Sequence, residues 1–288
     1  MKKTIVLFLV FITLFTLSLP AFADDGDTAP VTLNWISARR AIVQAGLNGS
    51  YYEIPDFGMD IWIPDLLTPQ DDISPDFYYD FADESNTAHV VVHNVEVEGD
   101  TSLSAIEETV TELGYEVDGV FWINGYSAVI YEKEENDSIF VVIPFDDGDV
   151  IEFGFTPKSS QDFYSLASII MSTIQPHTLS VEDVALMIDA DLNTNWGPNR
   201  KVRYVGDQDE PSITVLLWDE GVTADTIIES GSWETVRESK IVLYNSYIDV
   251  LTEFHMNDVL LTLMYINPDE DTSFLTISGG EIEYDFAE

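Results

Sequence analysis

The scarce chemical groups in this 288-residue chain are its four histidines, His89, His93, His177 and His255. Cysteine is absent, which excludes thiol nucleophiles, thiolate metal sites and disulfides. Two histidines stand four apart in His89-Val90-Val91-Val92-His93. On a helix that spacing would put both imidazoles on one side, as a zinc pair requires. The flanks are β-branched and the period is two, so the segment reads as a strand. Four strand residues span roughly 13 Å, too far for two ligands at about 2 Å from one ion. Ser, Asp and His occur in no triad spacing, and there is no Gly-x-Ser-x-Gly elbow.

Oxygen ligands alternate in Asp189-Ala190-Asp191-Leu192-Asn193-Thr194-Asn195, the first half of an EF-hand-type calcium loop. Asp189, Asp191 and Asn193 are therefore the candidate metal ligands. The second half departs from the pattern. Thr194 stands where the sharp turn wants Gly, and Arg200 stands where a bidentate Glu should close the site. The expectation is a helix C-terminus running into a polar turn, with no tight calcium site. Paired carboxylates for glycoside hydrolysis cannot be picked out among 53 acids. Of six tryptophans, Trp62, Trp122 and Trp218 sit in apolar strands and read as packing residues. Trp196, between Asn195 and Gly197, reads as an exposed loop contact. No Gly-rich phosphate loop is present, and no cofactor is expected.

These groups ride on an acidic, export-type chain. Lys2 and Lys3 precede an apolar run from Thr4 to Leu19, then Pro20, Ala21-Phe22-Ala23 and Asp24-Asp25. That is a signal-peptide pattern with cleavage after Ala23 and a secreted or periplasmic product. The run is shorter than the roughly 20 residues a spanning helix needs, so no membrane span is expected after cleavage. Lys and Arg number 11 against 53 Asp and Glu. With Lys2 and Lys3 removed, 9 against 53 leaves a charge of about −44. Phosphate polymers demand clustered cations, so nucleic acid is excluded as a partner. The acids are scattered, which fits a solvated surface with weak, diffuse cation binding. A 45% hydrophobic, 12% aromatic composition supplies a core.

Periodicity places the elements. Trp35, Ala38, Ile42 and Ala45 repeat at helical spacing until Gly46. Short strands are predicted at 51–54, 59–63, 77–81, 88–97, 115–123, 126–132, 139–144 and 150–155. Asp65 to Asp76 reads as a loop, and Asp146-Asp147-Gly148-Asp149 as a hairpin turn. Helices are predicted over Ser104 to Gly114, with Ile106, Val110 and Leu113 inward, and over Phe163 to Ile174. Gln175-Pro176-His177-Thr178 is the predicted linker, and Ser180 with Glu182 and Asp183 starts a helix running to Ile188. Strands at 201–205, 212–218, 259–266 and 274–278 follow, with helices at 223–229 and 233–251 and turns at Asn267-Pro268-Asp269 and Gly279-Gly280. The predicted class is α+β: an antiparallel sheet flanked by helices, then a second, smaller α+β unit. The predicted organisation is a signal peptide over 1–23, one domain over 24–176 and a second over 177–288.

The order within Tyr51 to Ile174 resembles the Mog1/PsbP-like fold. The matching residues are Tyr52-Glu53-Ile54-Pro55, Ile61-Trp62-Ile63-Pro64, the Asn124-Gly125 turn opening the Tyr126-to-Tyr131 strand, and the closing helix with Ser172-Thr173-Ile174. The resemblance implies a twisted antiparallel sheet sandwiched by helices, and binding or assembly roles more than catalysis. No functional residue carries over, and fold does not fix function. The expected function is an exported, strongly acidic, non-catalytic protein that binds a protein or small ligand at the cell envelope or outside the cell. The alternative is a secreted hydrolase with a carboxylate-based active site, whose mark would be converging acids with one raised pKa.

Overall fold

A computed structural model describes residues 31–71, 77–95, 97, 99–145, 148–206, 210–267 and 272–287. The signal pattern and its cleavage site lie outside these residues. So do Asp72, Pro75 and Asp76 of the predicted loop, Asp146 and Asp147 of the hairpin turn, and Pro268 and Asp269 of the later turn. The class is α+β, with mainly antiparallel sheets. The chain divides into two compact units, Met1–His177 and Thr178–Glu288. No helix among the described residues is long and apolar enough to cross a membrane.

The first unit contains β1 (Val31–Leu33), α1 (Trp35–Ala45), β2 (Gly49–Ile54), β3 (Met59–Pro64), β4 (Thr68–Pro69), β5 (Phe77–Ala82), β6 (His89–Asn94), α2 (Leu103–Glu112), β7 (Glu116–Ile123), β8 (Tyr126–Lys133), β9 (Ser138–Pro144), β10 (Val150–Thr156), α3 (Gln161–Met171) and β11 (Gln175–Pro176). Eight strands form a sheet in the order β1-β7-β8-β9-β10-β6-β5-β4, and β11-β3-β2 form a small one. Among the described residues of this unit, β1 on β7 is the one parallel pairing. Period-two alternation sorts the side chains. Ile139, Val141, Ile143, Ile151, Phe153 and Phe155 pack with Phe163, Ala167 and Ile170 of α3 and with β3. The opposite face carries Val129, Tyr131, Val142 and Val150 against Ile106 and Val110 of α2. Each such burial contributes about 1.5–3 kcal/mol, so pattern and sandwich specify one another. Leu113, expected inward, is the C-terminal cap of α2 and is 63% exposed, whereas Ile106 and Val110 are buried.

One buried residue ties these layers. Asn124 and Gly125 turn β7 into β8 with positive φ at both positions, the type I′ habit of Asn-Gly. The Asn124 side chain is then fully buried. Its Oδ1 accepts from the Trp35 N–H (2.8 Å), and its Nδ2 donates to the Ser172 and Ile174 carbonyls (2.7 and 2.9 Å). It satisfies backbone groups at the start of α1 and just past α3, which would otherwise be orphaned. Gly49 is required for another reason. A Cβ there would lie 2.3 Å from the Ile63 carbonyl and 2.5 Å from the Trp62 ring.

The second unit contains α4 (Val181–Trp196), β12 (Arg200–Val205), β13 (Ser212–Leu217), α5 (Ala224–Ser230), α6 (Trp233–Glu253), β14 (Leu260–Asn267), β15 (Thr272–Ser278) and β16 (Glu281–Asp285). Its sheet runs β12-β13-β14-β15-β16. β13 and β14 are parallel, joined across α5 and α6, and the other pairs are antiparallel. Ser180 and Asp183 form a capping box at the start of α4. Val184, Ile188 and Leu192 of α4, Tyr244, Tyr247 and Leu251 of α6, and Ile213, Val215, Leu217, Leu261 and Leu263 of the sheet are all buried.

Candidate functional site

The predicted calcium ligands do not converge. α4 runs on past Ile188 to Trp196, so Asp189, Asp191 and Asn193 are helical residues at i, i+2 and i+4: Asp189 and Asn193 share one face and Asp191 points away from it into the core. Asp189 pairs with the Arg200 guanidinium at 3.1 Å. Asp191 is 1% exposed, accepting from the Tyr247 hydroxyl (2.9 Å) and from Asn195 Nδ2 (2.9 Å). Asn193 faces solvent. Arg200, read as the cation occupying the last ligand position, is a clasp. It donates to the Asp189 carbonyl on the flank of α4 and to the carbonyl of Gly197, its C-terminal cap (3.0 and 2.8 Å).

Trp196, expected as an exposed loop contact, is the last residue of α4 and half-buried. The Lys240 ammonium sits 4.0 Å from its ring centroid and 4.8 Å from that of Tyr265, whose hydroxyl donates to Asp219 at 2.8 Å. Burial pushes the Lys240 amine down to about 8, and the Asp219 charge opposes that shift. The aromatic faces replace part of the lost hydration of this cation.

The two strand histidines are held apart by separate acids. His89 Nδ1 lies 3.0 Å from Asp80, and His93 Nε2 lies 3.1 Å from Glu152. Glu152 stands directly across from His93 in the β6–β10 ladder and also accepts a very short bond from the Tyr131 hydroxyl. Burial, then the Glu152 charge, raises the Tyr131 phenol far above its usual range. This His-Glu-Tyr row is a polar seam under α2. A further acidic cluster surrounds Asp118. Burial pushes its carboxyl up to about 6, with the Glu132 and Glu116 charges adding and Lys158 opposing. Lys158 is itself bonded to Glu132 at 2.7 Å. Strand alternation alone could have suggested the His-Glu row. The bulge that sets Asp118 left no mark in the sequence. Among the described residues, no group of three or more His, Asp or Glu is placed to hold a metal ion.

The feature that collects binding chemistry is β12. Of the nine Lys and Arg that follow residue 23, three lie within four residues here, Arg200, Lys201 and Arg203. β12 is the terminal strand of its sheet. Lys201, Arg203, Tyr204 and Val205 are exposed. A groove of about 370 Å³ runs between α4 and β12, lined by Ala185, Leu186 and Asp189 on one side and Arg200, Lys201, Val202 and Tyr204 on the other. Its mixed polar and apolar lining, the exposed Lys201 and Arg203 and the strand edge suit an extended, acidic chain. Clustering of cations in a chain so poor in them was the readable signal, and the calcium pattern alongside obscured it.

Comparison with protein-family models finds no match, and comparison with curated protein sequences finds none. Among solved structures, the chain is similar to the solution structure of the cyanobacterial PsbP of Synechocystis sp. PCC 6803, at 16% identity, over 54% of this chain and 98% of that one, with a TM-score of 0.32. It is similar to the Saccharomyces cerevisiae Ran-binding protein Mog1p, at 12% identity, over 46% of this chain and 96% of that one, with a TM-score of 0.31. A Bacteroides thetaiotaomicron crystal structure matches at 10% identity, over 58% and 86%, with a TM-score of 0.32. These likenesses cover a segment of the chain and carry no functional residue across.

Proposed function

We propose that this chain is an exported, strongly acidic, non-catalytic protein that binds an extended acidic partner along β12. The observation that carries this reading is the pair Lys201 and Arg203, exposed on a terminal strand beside the α4–β12 groove and next to the Arg200–Asp189 clasp. Elsewhere the charge of the chain repels anions, so an acidic partner is steered to this edge. Main-chain pairing supplies affinity in such a mode, and alternate side-chain pockets supply selectivity. Export rests on the signal pattern; Edman sequencing of exported material is expected to begin at Asp24, and a start at Met1 would contradict it. The binding test is fluorescence anisotropy with a labelled peptide of alternating Glu and Val. Saturable binding is expected, lost when Lys201→Glu and Arg203→Glu are combined. Equal binding of an alternating Lys and Val peptide, or indifference to the double substitution, contradicts the reading.

A carboxylate hydrolase is the second reading, favoured by the raised carboxyl of Asp118 beside Glu132. Hydrolysis of a panel of chromogenic glycosides and esters, abolished by Asp118→Asn without loss of fold, would support it.

A further inference from the structure

The two edges of the second unit's sheet carry opposite charge. β12 reads Arg200-Lys201-Val202-Arg203-Tyr204-Val205, and β16 reads Glu281-Ile282-Glu283-Tyr284-Asp285. They are the two terminal strands, at opposite ends of the order β12-β13-β14-β15-β16. Both are exposed along most of their length, including Tyr204 (42%), Val205 (52%), Ile282 (36%) and Tyr284 (50%). Asp285 is turned to internal use, held by the Trp233 indole at 3.0 Å and the Arg237 guanidinium at 2.8 Å. Glu281 and Glu283 are left on the rim.

Strand directions fit as well as charges. β12 is antiparallel to β13, β13 is parallel to β14, β14 is antiparallel to β15, and β15 is antiparallel to β16. β12 and β16 therefore run in opposite directions. A second copy in the same orientation would bring its β16 alongside β12 as an antiparallel neighbour, with its helices on the same side of the extended sheet. Such a pairing brings Lys201 and Arg203 alongside the edge that carries Glu281 and, at the β15–β16 bulge, Glu283, and it places exposed aliphatic and tyrosyl side chains together. Charged edge strands ordinarily block pairing between like edges. Here each edge blocks its own kind and admits the other. The net charge of −42 on each copy is screened beyond about 8 Å at physiological ionic strength, while pairs in contact are screened less.

We infer that the acidic partner of β12 is β16 of a second copy of this chain, which makes head-to-tail contacts that extend the five-stranded sheet from molecule to molecule. This rests on the reading of β12 as a binding edge. The contact is heterologous, so it propagates as a ring or an open filament.

The test is sedimentation velocity of the purified chain over a concentration series up to about 1 mM, the range in which small, transient interfaces associate. The wild type is expected to show a weight-average mass rising with concentration. Lys201→Glu with Arg203→Glu, and separately Glu281→Lys with Glu283→Lys, are each expected to sediment as monomers. An equimolar mixture of the two variants should recover association, because the reversed β12 of one then meets the reversed β16 of the other. Recovery also demonstrates that both variants are folded. A wild type that stays monomeric while the Glu–Val peptide still binds overturns the self-partner and leaves the binding edge standing. Loss of peptide binding as well overturns both. Association that survives either reversal, or variants whose mixture stays monomeric, overturns the β12–β16 contact.

Discussion

Asn124 shows how one side chain can hold a fold together. Its amide closes three backbone bonds between the β7–β8 turn, the start of α1 and the segment after α3. Removing it strands buried polar groups at roughly 1–3 kcal/mol each. Asn124→Ala should lower stability by about 3 kcal/mol, measured by urea denaturation, whereas an ordinary turn residue would change it by under about 1 kcal/mol. The turn itself was legible as Asn-Gly. The side chain's partners were not, because they lie far away in sequence. Asp118 makes a second residue-scale prediction. Its folded carboxyl is raised from 3.8 to about 6, so the folded state holds its proton more tightly than the unfolded chain. Its contribution is fully present below pH 3.8 and lost as pH rises through about 6. Asp118→Asn should remove this slope and stabilise the protein at pH 7 by roughly 1 kcal/mol, discounted for partial exposure. An unchanged pH profile between 4 and 7 would show that the carboxyl is not held in this way.

At the scale of elements, legibility followed periodicity. Six strands of the eight-stranded sheet, β5 to β10, are legible as β-branched and aromatic runs between turn signals, and α1 and α3 show helical spacing, so their positions are readable within a few residues. α4 was cut short because Asp189, Asp191, Asn193 and Asn195 imitate a polar loop. The apolar repeat Val184, Ile188 and Leu192 continues through them at helical spacing, and tertiary contacts decide the outcome. The Tyr247 hydroxyl on α6, bonded to the buried Asp191 carboxylate of α4, is one such contact. Tyr247→Phe should destabilise the chain by about 1.5–3 kcal/mol, the range for bonds to charged groups. A loss under about 0.5 kcal/mol would show that this bond does not anchor the helix. β1, β4, β11 and β16 are not legible: β4 falls in the expected Asp65–Asp76 loop and β11 in the expected Gln175–Thr178 linker. They are short, and pairing with distant strands makes them strands. Their local sequence does not.

The whole molecule is two α+β units in an acidic chain whose few cations are unevenly spread. The scattered acids were legible from composition as a solvated surface. The gathering of three cations on a sheet edge needed the sheet order, because only that order shows β12 to be terminal. The calcium pattern adjoins β12 in sequence and is not kept on folding, since Asp189 becomes the partner of Arg200. The account's central claim is that β12 is the binding edge. Hydrogen exchange followed at the amides of Arg200–Val205, with and without saturating alternating Glu and Val peptide, tests it most directly. Selective slowing of exchange in β12, absent with the Lys and Val peptide, is the predicted result. Unchanged exchange in β12, or slowing confined to other strands, would contradict it.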